Sequence, residues 1–338
     1  GLIMPLTLAQ AKATMTDKVD QLVIDEFRRE STLLDRLTFD DAVSPGTGGS
    51  TLTYGYVRLL TPSTASTRKL NTEYTANEAI RKKCTADIKI FGGSFTVDRV
   101  IQETSGSLNE IEFQLKEKIK AARNYFHYLV INGDSAKNED EFDGLDAILT
   151  GSSTEYKDSI GLDISNSPML DTNYKKFLDV LDEFLAGLDG KPDALLGGSK
   201  IISRIQAVAR RAGYLTQSED SFGRKANGYN GIEFIDLGKY FDGTASSDVV
   251  KPYSVSETTG EGDSAVTTTT TGLCDLYAVK FGLDGFHAVS PAGGKIIKTY
   301  LPKMDLPGAV KTGEVEMKAA VVLKNTLRAG VMRGIKVQ

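Results

Sequence analysis

The glycine-rich stretch at residues 44–51, SPGTGGST, is the first place where the residue types could bind a ligand. A phosphate-binding loop needs a glycine, four further residues and then Gly-Lys-Ser or Gly-Lys-Thr, because the lysine must reach the terminal phosphates. Counting from Gly46, position 51 is Thr51, and no lysine follows it. The next residues are β-branched and aromatic, which favours a strand over the helix that would bind an anion. We therefore interpret the stretch as the base of a long extended hairpin.

Two histidines, His127 and His287, are the only imidazoles available for acid–base or nucleophilic chemistry. A Ser-His-Asp or Cys-His site also needs a companion nucleophile in a strained turn, and neither histidine lies beside such a pattern. The sequence contains no dinucleotide-binding glycine pattern either. Both histidines are expected to be structural. We predict no catalytic residues and no cofactor.

The acidic segment at residues 132–144 is the best candidate for a metal site. Its carboxylates do not match a calcium loop, because Ala136 stands where an oxygen ligand is required. Cys84 and Cys274 are too far apart in sequence to form a zinc knuckle, and they are expected to be buried thiols. The segment is interpreted as a solvated acidic loop, and no metal is predicted.

Composition limits the classes of function. The chain has 338 residues, of which 40% are hydrophobic and 25% charged, as in globular proteins. A net charge of −5 argues against a protein that holds nucleic acid by its own basic face, although it does not exclude DNA confined by something else. The first residues lack the pattern of a signal peptide, and no apolar run is long enough to cross a bilayer. We expect a soluble protein that is intracellular when made.

Two helical segments are clear. Residues 7–37 have apolar side chains at helical spacing, a capping box formed by Thr7 and Gln10, and a break near residues 30–32. Residues 107–132 form the longest pattern, with one apolar stripe and a stop at Asn132-Gly133. The first segment precedes any obvious core and could be an arm, and the second is interpreted as a strut.

The stretch after residue 50 predicts a long two-stranded hairpin. The first strand covers residues 51–57, a Pro/Ser/Thr-rich tip follows at 61–67, and a second polar/apolar stretch covers 68–74. Isolated hairpins are marginal in water. The apolar residues here are too many for a solvated tip, so we expect a partner molecule to cover them.

The other elements complete a mixed α+β pattern. A strand is predicted at 85–97, with Gly92-Gly93 as a bulge or sharp bend. A helix is predicted at 171–190. Residues 193–211 are predicted to form a short buried strand, a Gly-Gly turn and a second helix, of which Ser199 is expected to be the N-cap. Strands are predicted at 231–237, 274–281, 286–289 and 314–337, and residues 254–272 are expected to be a polar loop or hairpin.

The order of these parts resembles the major capsid protein of tailed double-stranded DNA bacteriophages. Four stretches carry the resemblance: IFGGSFTVDRVIQET at 90–104, FDGLDAIL at 142–149, NGIEFIDLG at 230–238 and DLYAVKFGLDGFHAVS at 275–290. It covers nearly the whole chain, and its specificity comes from the order and spacing of the motifs. The resemblance implies the α+β phage major capsid fold, which encapsulins share.

The resemblance also implies a division of the chain. Residues 1–43 would be an N-terminal arm, and residues 44–84 an extended loop that lies over a neighbouring subunit. Residues 85–134 and 295–338 would form a peripheral domain whose spine helix spans 107–132. Residues 135–294 would form an axial domain at the centre of each hexamer or pentamer.

The function implied by the resemblance is structural. The chain would assemble as hexamers and pentamers into an icosahedral shell around double-stranded DNA, in the cytoplasm of a host bacterium, and would become the capsid of the virion. Assembly contacts are expected at Tyr54, Tyr56, Leu59 and Lys69 in the extended loop, and at Arg224 and Lys225 near the capsomer axis. Scaffolding, portal and decoration proteins are the other partners implied, and no membrane is involved.

Some relatives join their subunits covalently through a lysine of the extended loop and an asparagine of a neighbour. Lys69 is the only lysine between residues 44 and 80, and Asn325 is a formal partner. Such a reaction needs a nearby carboxylate as base, and no motif in this sequence secures one. The chain also lacks the N-terminal scaffolding segment of longer relatives, which implies a separate scaffold or a segment that has been removed.

Three other functions remain open from the sequence. An encapsulin, a cellular shell of related fold that houses a cargo enzyme, would use the same residues, although the long hairpin favours the phage protein. An enzyme with a cryptic carboxylate site would instead be active as a stable monomer. A β-rich phage tail or adhesin component fits poorly with the helices at 107–132 and 171–211.

Overall fold

The computed structural model describes residues 6–14, 17–43, 52–100, 108–219, 222, 225–291 and 296–338. Within these residues the longer helices are α1 (Leu8–Thr14), α2 (Lys18–Glu30), α3 (Thr32–Arg36), α4 (Leu108–Asn132), α5 (Leu145–Leu149), α6 (Ser167–Ala186) and α7 (Ser199–Ala212). Two short 3₁₀ turns cover Gly262–Ser264 and Thr326–Arg328. No helix of this described part is both long and apolar enough to span a membrane.

In chain order, the strands before residue 230 are β1 (Leu6–Thr7), β2 (Thr38–Val43), β3 (Thr53–Thr61), β4 (Ile80–Asp87), β5 (Lys89–Asp98), β6 (Glu155–Tyr156), β7 (Ala194–Gly197), β8 (Leu215–Glu219) and β9 (Lys225–Tyr229). Those after residue 230 are β10 (Ile232–Asp236), β11 (Lys239–Phe241), β12 (Ser246–Asp248), β13 (Tyr253–Thr259), β14 (Val266–Val279), β15 (Phe286–Pro291), β16 (Ile297–Tyr300), β17 (Val310–Leu323) and β18 (Ala329–Lys336).

A six-stranded sheet is built around β17. Its order is β1-β2-β15-β17-β16, and β5 also pairs with β17. The long strand reaches all three neighbours because its last residues pair with β15, while its earlier residues pair with β16 on one edge and β5 on the other. Helices α2 and α4 pack on this sheet and bury the largest of the two hydrophobic cores.

An eight-stranded sheet runs in the order β6-β18-β14-β7-β10-β9-β8, with β13 also paired to β14. Its central strands are buried on both faces, as their continuous apolar runs require. Leu195 and Leu276 lie in the second core with α6 and α7, whereas the next residues, Leu196 and Tyr277, lie in the main core. The period of two along each strand thus joins the two cores through one sheet.

The N-terminal segment is helical as predicted, with one further helix start that was not predicted: α2 begins at Lys18, where the Asp17 side chain caps it by accepting from the Val19 amide. The capping box at α1 is formed, since Gln10 Oε1 accepts from the Thr7 amide at 3.0 Å and Thr7 Oγ1 accepts from the Gln10 amide at 3.3 Å. The predicted break falls at Ser31, whose hydroxyl caps α3 by accepting from the Leu34 amide. Residues 23–39 of the segment expected to be an arm bury their apolar side chains in the main core of this same chain.

The long helix α4 is confirmed. It has 25 residues and buries a stripe that includes Ile119, Ala122, Phe126 and Leu129. It ends at Asn132, whose side-chain amide donates to the Val249 carbonyl at 2.7 Å. The predicted N-cap, Ser107, lies outside the described residues. The helix therefore lies across the six-stranded sheet as the strut that its sequence predicts.

The prediction of a bulge at Gly92-Gly93 is wrong. Strand β5 pairs with β17 in unbroken register from Lys89 to Asp98. Gly92 has φ +148°, and a Cβ there would lie 1.9 Å from the Val315 carbonyl oxygen. The glycine is needed for this close approach of two backbones, which a sequence pattern alone does not distinguish from a bulge.

Two helix starts also differ from the prediction. Helix α6 begins at Ser167, because Asn166 caps it by accepting from the Met169 amide and Pro168 is tolerated in the first turn. Helix α7 is preceded by Gly198, which provides no side-chain cap, and Ser199 is its first residue. The predicted hairpin at 254–272 is confirmed as β13 and β14, joined across the strands by hydroxyl pairs at 2.9 Å.

Candidate assembly surface

The extended hairpin consists of β3, the hairpin tip (residues 62–79) and β4. The two strands pair antiparallel from Thr53 opposite Asp87 to Thr61 opposite Ile80. The return strand therefore lies at 80–87, and the prediction that residues 68–74 pair back is wrong. The hairpin forms a sheet of its own and joins neither of the two large sheets.

The hairpin base is fixed to the body by polar contacts from three residues of β3. Tyr54 donates its hydroxyl to the Asp40 carboxylate at 2.8 Å. Arg58 donates to the Leu323 carbonyl at 2.9 Å and to the Tyr56 hydroxyl at 2.8 Å. The Leu59 amide donates to the Lys324 carbonyl at 2.8 Å. These contacts join β3 to β2 and to the end of β17.

Aromatic packing adds to the hairpin base. The rings of Tyr54 and Tyr56 stack with centroids 5.9 Å apart, and the Lys324 ammonium lies 5.5 Å from the Tyr54 ring. Burial raises the pKa of the Tyr54 phenol, and the adjacent Asp40 carboxylate raises it further. Tyr54 therefore stays a neutral hydrogen-bond donor throughout the physiological range.

The hairpin tip has no such support from its own chain. Its residues are almost all exposed, and three large apolar side chains near it face solvent: Leu70 is 88% exposed, Tyr74 62% and Ile80 55%. Five basic residues (Arg68, Lys69, Arg81, Lys82 and Lys83) and two acidic ones (Glu73 and Glu78) lie between residues 61 and 83. Within the tip the two basic residues balance the two acidic ones, so the excess positive charge of the hairpin lies on β4 beside the exposed apolar tip.

The proposed assembly residues occupy different positions. Tyr54, Tyr56 and Leu59 lie in the hairpin base, in contact with their own chain, whereas Lys69 is exposed in the turn of the tip. Lys225 is the exposed first residue of β9, near the edge of the eight-stranded sheet. Arg224 lies outside the described residues. The structure thus separates these residues into a base, a tip and a distant sheet edge.

Asn325, the formal cross-linking partner of Lys69, lies beside the hairpin base. Its backbone pairs with that of Leu59 in an isolated parallel β-bridge, and its side-chain oxygen accepts a hydrogen bond from the Leu327 amide at 3.0 Å. Lys69 belongs to the tip at the opposite end of the same hairpin. A bond between these two residues would therefore join different copies of the chain.

Two surface grooves lie in this part of the molecule, one beside the hairpin base and one at the connection from β16 to β17. One of 390 Å³ separates the hairpin base from the acidic loop, with Lys82 and Lys83 on one wall and Glu141 and Asp143 on the other. Another of 400 Å³ lies where β16 is connected to β17, and its rim exposes Tyr300, Leu301, Leu306 and Val310. The groove at β16 and β17 exposes apolar side chains at one edge of the six-stranded sheet. Exposed apolar surfaces often mark interaction sites.

The histidines are both buried in the body. His127 lies between the Ser31 hydroxyl at 2.7 Å and the Leu237 carbonyl at 3.1 Å, and burial lowers its pKa to about 4. His287 is in β15 beneath the hairpin base, its pKa lowered to about 4 by burial and by Lys324. Among the described residues, no three His, Cys, Asp or Glu side chains are grouped so that they could hold a metal ion.

Sequence reasoning missed the contacts that hold the hairpin. Asp40, Leu323 and Lys324 lie far from β3 in the sequence, and none belongs to a motif. One signal was available in β3, because Tyr54, Tyr56 and Arg58 alternate with Gly55 and Val57 and so predict one face turned towards the body.

Comparison of the sequence with known protein families and with curated proteins gives no match. Comparison of the structure gives several. The SrpI encapsulin of Synechococcus elongatus PCC 7942 superposes with a TM-score of 0.53 at 12% identity, over 85% of this chain and 83% of the encapsulin. A virus-like particle from Pyrococcus furiosus gives 0.49 at 9% identity, over 96% and 98% of the two chains. A chain from the structure of Mycobacterium phage Bobi superposes with a TM-score of 0.46 at 12% identity, over 86% of this chain and 88% of that one.

The chain has the fold of the encapsulin, which extends over most of both proteins. This agreement confirms the α+β fold class predicted from the sequence, the fold that phage major capsid proteins share with encapsulins. It also confirms the resemblance on which that prediction depends. Because the identity is 12%, the likeness is one of fold and carries no residue roles with it.

Proposed function

We propose that this chain is a structural shell protein, and specifically the major capsid protein of a tailed double-stranded DNA bacteriophage. Hexamers and pentamers of the chain would form an icosahedral shell that encloses the phage DNA without reading its sequence. The shell would form in the bacterial cytoplasm and become the capsid of the virion. Its role would be structural, with no catalytic step.

The observation that carries the proposal is the extended hairpin. Its base is fixed by side-chain and backbone contacts, while its tip exposes Leu70 and Tyr74 and the adjacent strand β4 exposes a run of basic residues. Monomeric proteins rarely present large apolar side chains on a protrusion, because nothing stabilises them there. A neighbouring copy that covers the tip would bury these side chains, and repeated head-to-tail contacts of this kind build rings and shells.

The sheets suggest how the proposed domains map onto the fold. The six-stranded sheet with α4 would form the peripheral region, and the eight-stranded sheet with α6 and α7 the axial region. This division moves β15 to the peripheral side and β18 to the axial side of the boundaries drawn from the sequence, because each strand pairs there. Lys225 and Arg224 would then be near the capsomer axis, and the exposed groove between β16 and β17 would contact a neighbour.

An encapsulin-type compartment is the second candidate. The fold shared with the SrpI encapsulin supports it, and the same hairpin contacts would serve a cellular shell. We favour the phage capsid because of the length of the hairpin. Scaffolding, portal and decoration proteins would be additional partners only in the phage assembly.

The decisive measurement is the mass of the purified full-length chain by light scattering, with negative-stain images of the same fraction. Closed megadalton particles, or rings of five or six subunits, are expected. Large particles that contain nuclease-protected double-stranded DNA when isolated with the other phage proteins would identify a capsid, whereas small, DNA-free shells would identify an encapsulin. A chain that stays monomeric even with its scaffold supplied would contradict both.

Covalent cross-linking through Lys69 remains a subordinate proposal. Particles boiled in detergent would run as ladders on a gel if Lys69 were joined to Asn325 of neighbouring copies, and Lys69→Arg would abolish the ladder. A single monomer band from assembled particles would rule the cross-link out.

A further inference from the structure

His287 occupies an unusual position between the sheet and the hairpin base. It is fully buried in β15, and neither ring nitrogen has a hydrogen-bond partner in good geometry among the described residues, although the backbone of Gly282 and Gly285 lies close enough to interact weakly with the ring. A buried imidazole without partners costs free energy, and most proteins avoid it. The edge of its ring contacts the Tyr54 ring of β3 in a T-shaped arrangement, with centroids 6.5 Å apart. The histidine is therefore covered by the residue that fixes the hairpin to the body.

The groups around His287 make its charged form unfavourable. Burial is the largest cause and the neighbouring Lys324 ammonium the second, and both lower the pKa of His287. The Asp40 carboxylate and the backbone of Gly285 and Gly282 oppose them but do not compensate. The titratable and charged side chains near it come from three elements: Tyr54, Tyr56 and Arg58 from β3, Asp40 from β2, and Lys324 from the residue after β17.

Opening of the hairpin base would relieve this situation and would withdraw from the main core only Tyr54 and the half-buried residues of the base that pack beside it. Strand β3 pairs only with β4 in the described sheets, so it can leave the body by breaking the Tyr54, Arg58 and Leu59 contacts. Water would then reach His287, and its pKa would return towards the ordinary value near 6.5. His287 would therefore bind a proton more readily in the open state than in the closed state.

We propose that His287 is an acid-sensitive switch at the hairpin base, whose protonation releases β3 from its contacts with the body while the second core and the rest of the main core stay folded. The sign follows from linkage, since a depressed pKa in the closed state means that closure is favoured above the open-state pKa and weakened as pH falls. With a closed-state pKa of about 4, the window is roughly pH 6.5 to 4. The device belongs to the single chain and does not depend on the kind of shell it forms.

The size of the effect follows from the two pKa values. Between pH 7 and pH 5 the open-to-closed ratio of the hairpin base is expected to rise about twentyfold. The test is hydrogen exchange of the full chain, with protection factors compared for peptides from β3 (Thr53–Thr61) and from β14 (Val266–Val279), in one assembly state confirmed by light scattering. The β3 peptide is expected to lose protection by that factor, and the β14 peptide to keep it. Wild-type β3 protection that does not change with pH would overturn the proposal.

The matched variants use the two buried histidines. His287→Leu has nearly the same volume and removes only unpaired nitrogens, so the hairpin base is expected to stay closed at pH 5. His287→Asn tests the same point if the leucine variant fails to fold. His127→Gln is the control, because His127 has an equally low pKa but lies under α3, and the acid response of β3 should persist. A response that survives both folded His287 variants would disprove the switch.

Exchange of the imidazole C2 hydrogen gives an independent readout without mutation. In the wild-type chain His287 is expected to exchange slowly and to titrate well below 6.5. A rapidly exchanging His287 with an ordinary pKa would show that the ring is not covered by Tyr54, and the proposal would fail.

Discussion

At the residue scale, Arg333 of β18 is a largely buried cation in the eight-stranded sheet, with its side chain 12% exposed. Its guanidinium contacts Asp146 at 2.6 Å, Asp275 at 2.8 Å and Glu155 at 2.8 Å. Burial alone would raise the pKa of Glu155, but hydrogen bonds from Arg333 and from the Gly151 amide lower it overall. One cation therefore holds three carboxylates, and each also has other partners around it.

Arg333→Ala is expected to lower the free energy of unfolding by about 3–5 kcal/mol, because it leaves buried carboxylates uncompensated. Arg211→Ala is the control, since its ion pair with the exposed Asp171 should contribute less than about 1 kcal/mol. Urea unfolding of both variants at pH 7 measures the difference. Equal effects would mean that the Arg333 cluster does not act as a buried network.

At the element scale, the pairing of β5 with β17 depends on a glycine without a motif. Gly92→Ala is expected to destabilise the chain by about 3 kcal/mol or more, because the new Cβ meets the Val315 carbonyl and φ is +148°. Gly93→Ala is the matched control, since its Cβ would meet only the flexible side chain of Lys118 at 3.2 Å. Thermal unfolding of both variants provides the comparison, and similar midpoints would contradict the close approach.

The elements that the sequence predicts well are those with a strong period of their own. Helix α4 and the capping box of α1 were located to within a residue, because helical spacing and capping are local. The return strand of the hairpin was misplaced, because Arg81-Lys82-Lys83 gives β4 no alternation of apolar and polar residues. Its position is set by register with β3, which is a long-range property.

The candidate surface was predictable only in part, for a similar reason. The apolar content of the hairpin indicates an interface, but the contacts of Tyr54 and Arg58 depend on Asp40 and Leu323, which only the folded sheet brings near. The switch residue His287 looks like an ordinary strand residue in the sequence. The proposed role of His287 depends on its contact with the Tyr54 ring, which only the folded chain brings near.

At the scale of the whole molecule, the hairpin tip can be removed without touching either core. Thr61 and Ile80 face each other in register, so an Asn-Gly turn can replace residues 62–79. The shortened chain is expected to unfold at an unchanged temperature but to form no closed particles. Circular dichroism and light scattering test the two halves of this prediction.

A control chain with a Gly/Ser tip of the original length distinguishes reach from side-chain contacts. If Leu70, Tyr74 and the tip residues Arg68 and Lys69 are what a neighbour binds, this chain should also fail to assemble. Normal shells from the shortened chain would show that assembly does not use the tip.

The position of β17 and β18 has a consequence for the order in which the chain is made. Strand β17 joins β15, β16 and β5, and β18 lies between β6 and β14, so residues 310–336 complete both sheets. On the ribosome, the earlier strands of both sheets emerge with open edges, because the strands that pair with those edges are made after them. A nascent chain therefore cannot complete either large sheet until its synthesis has passed residue 336, so neither sheet can close while the earlier strands are still emerging.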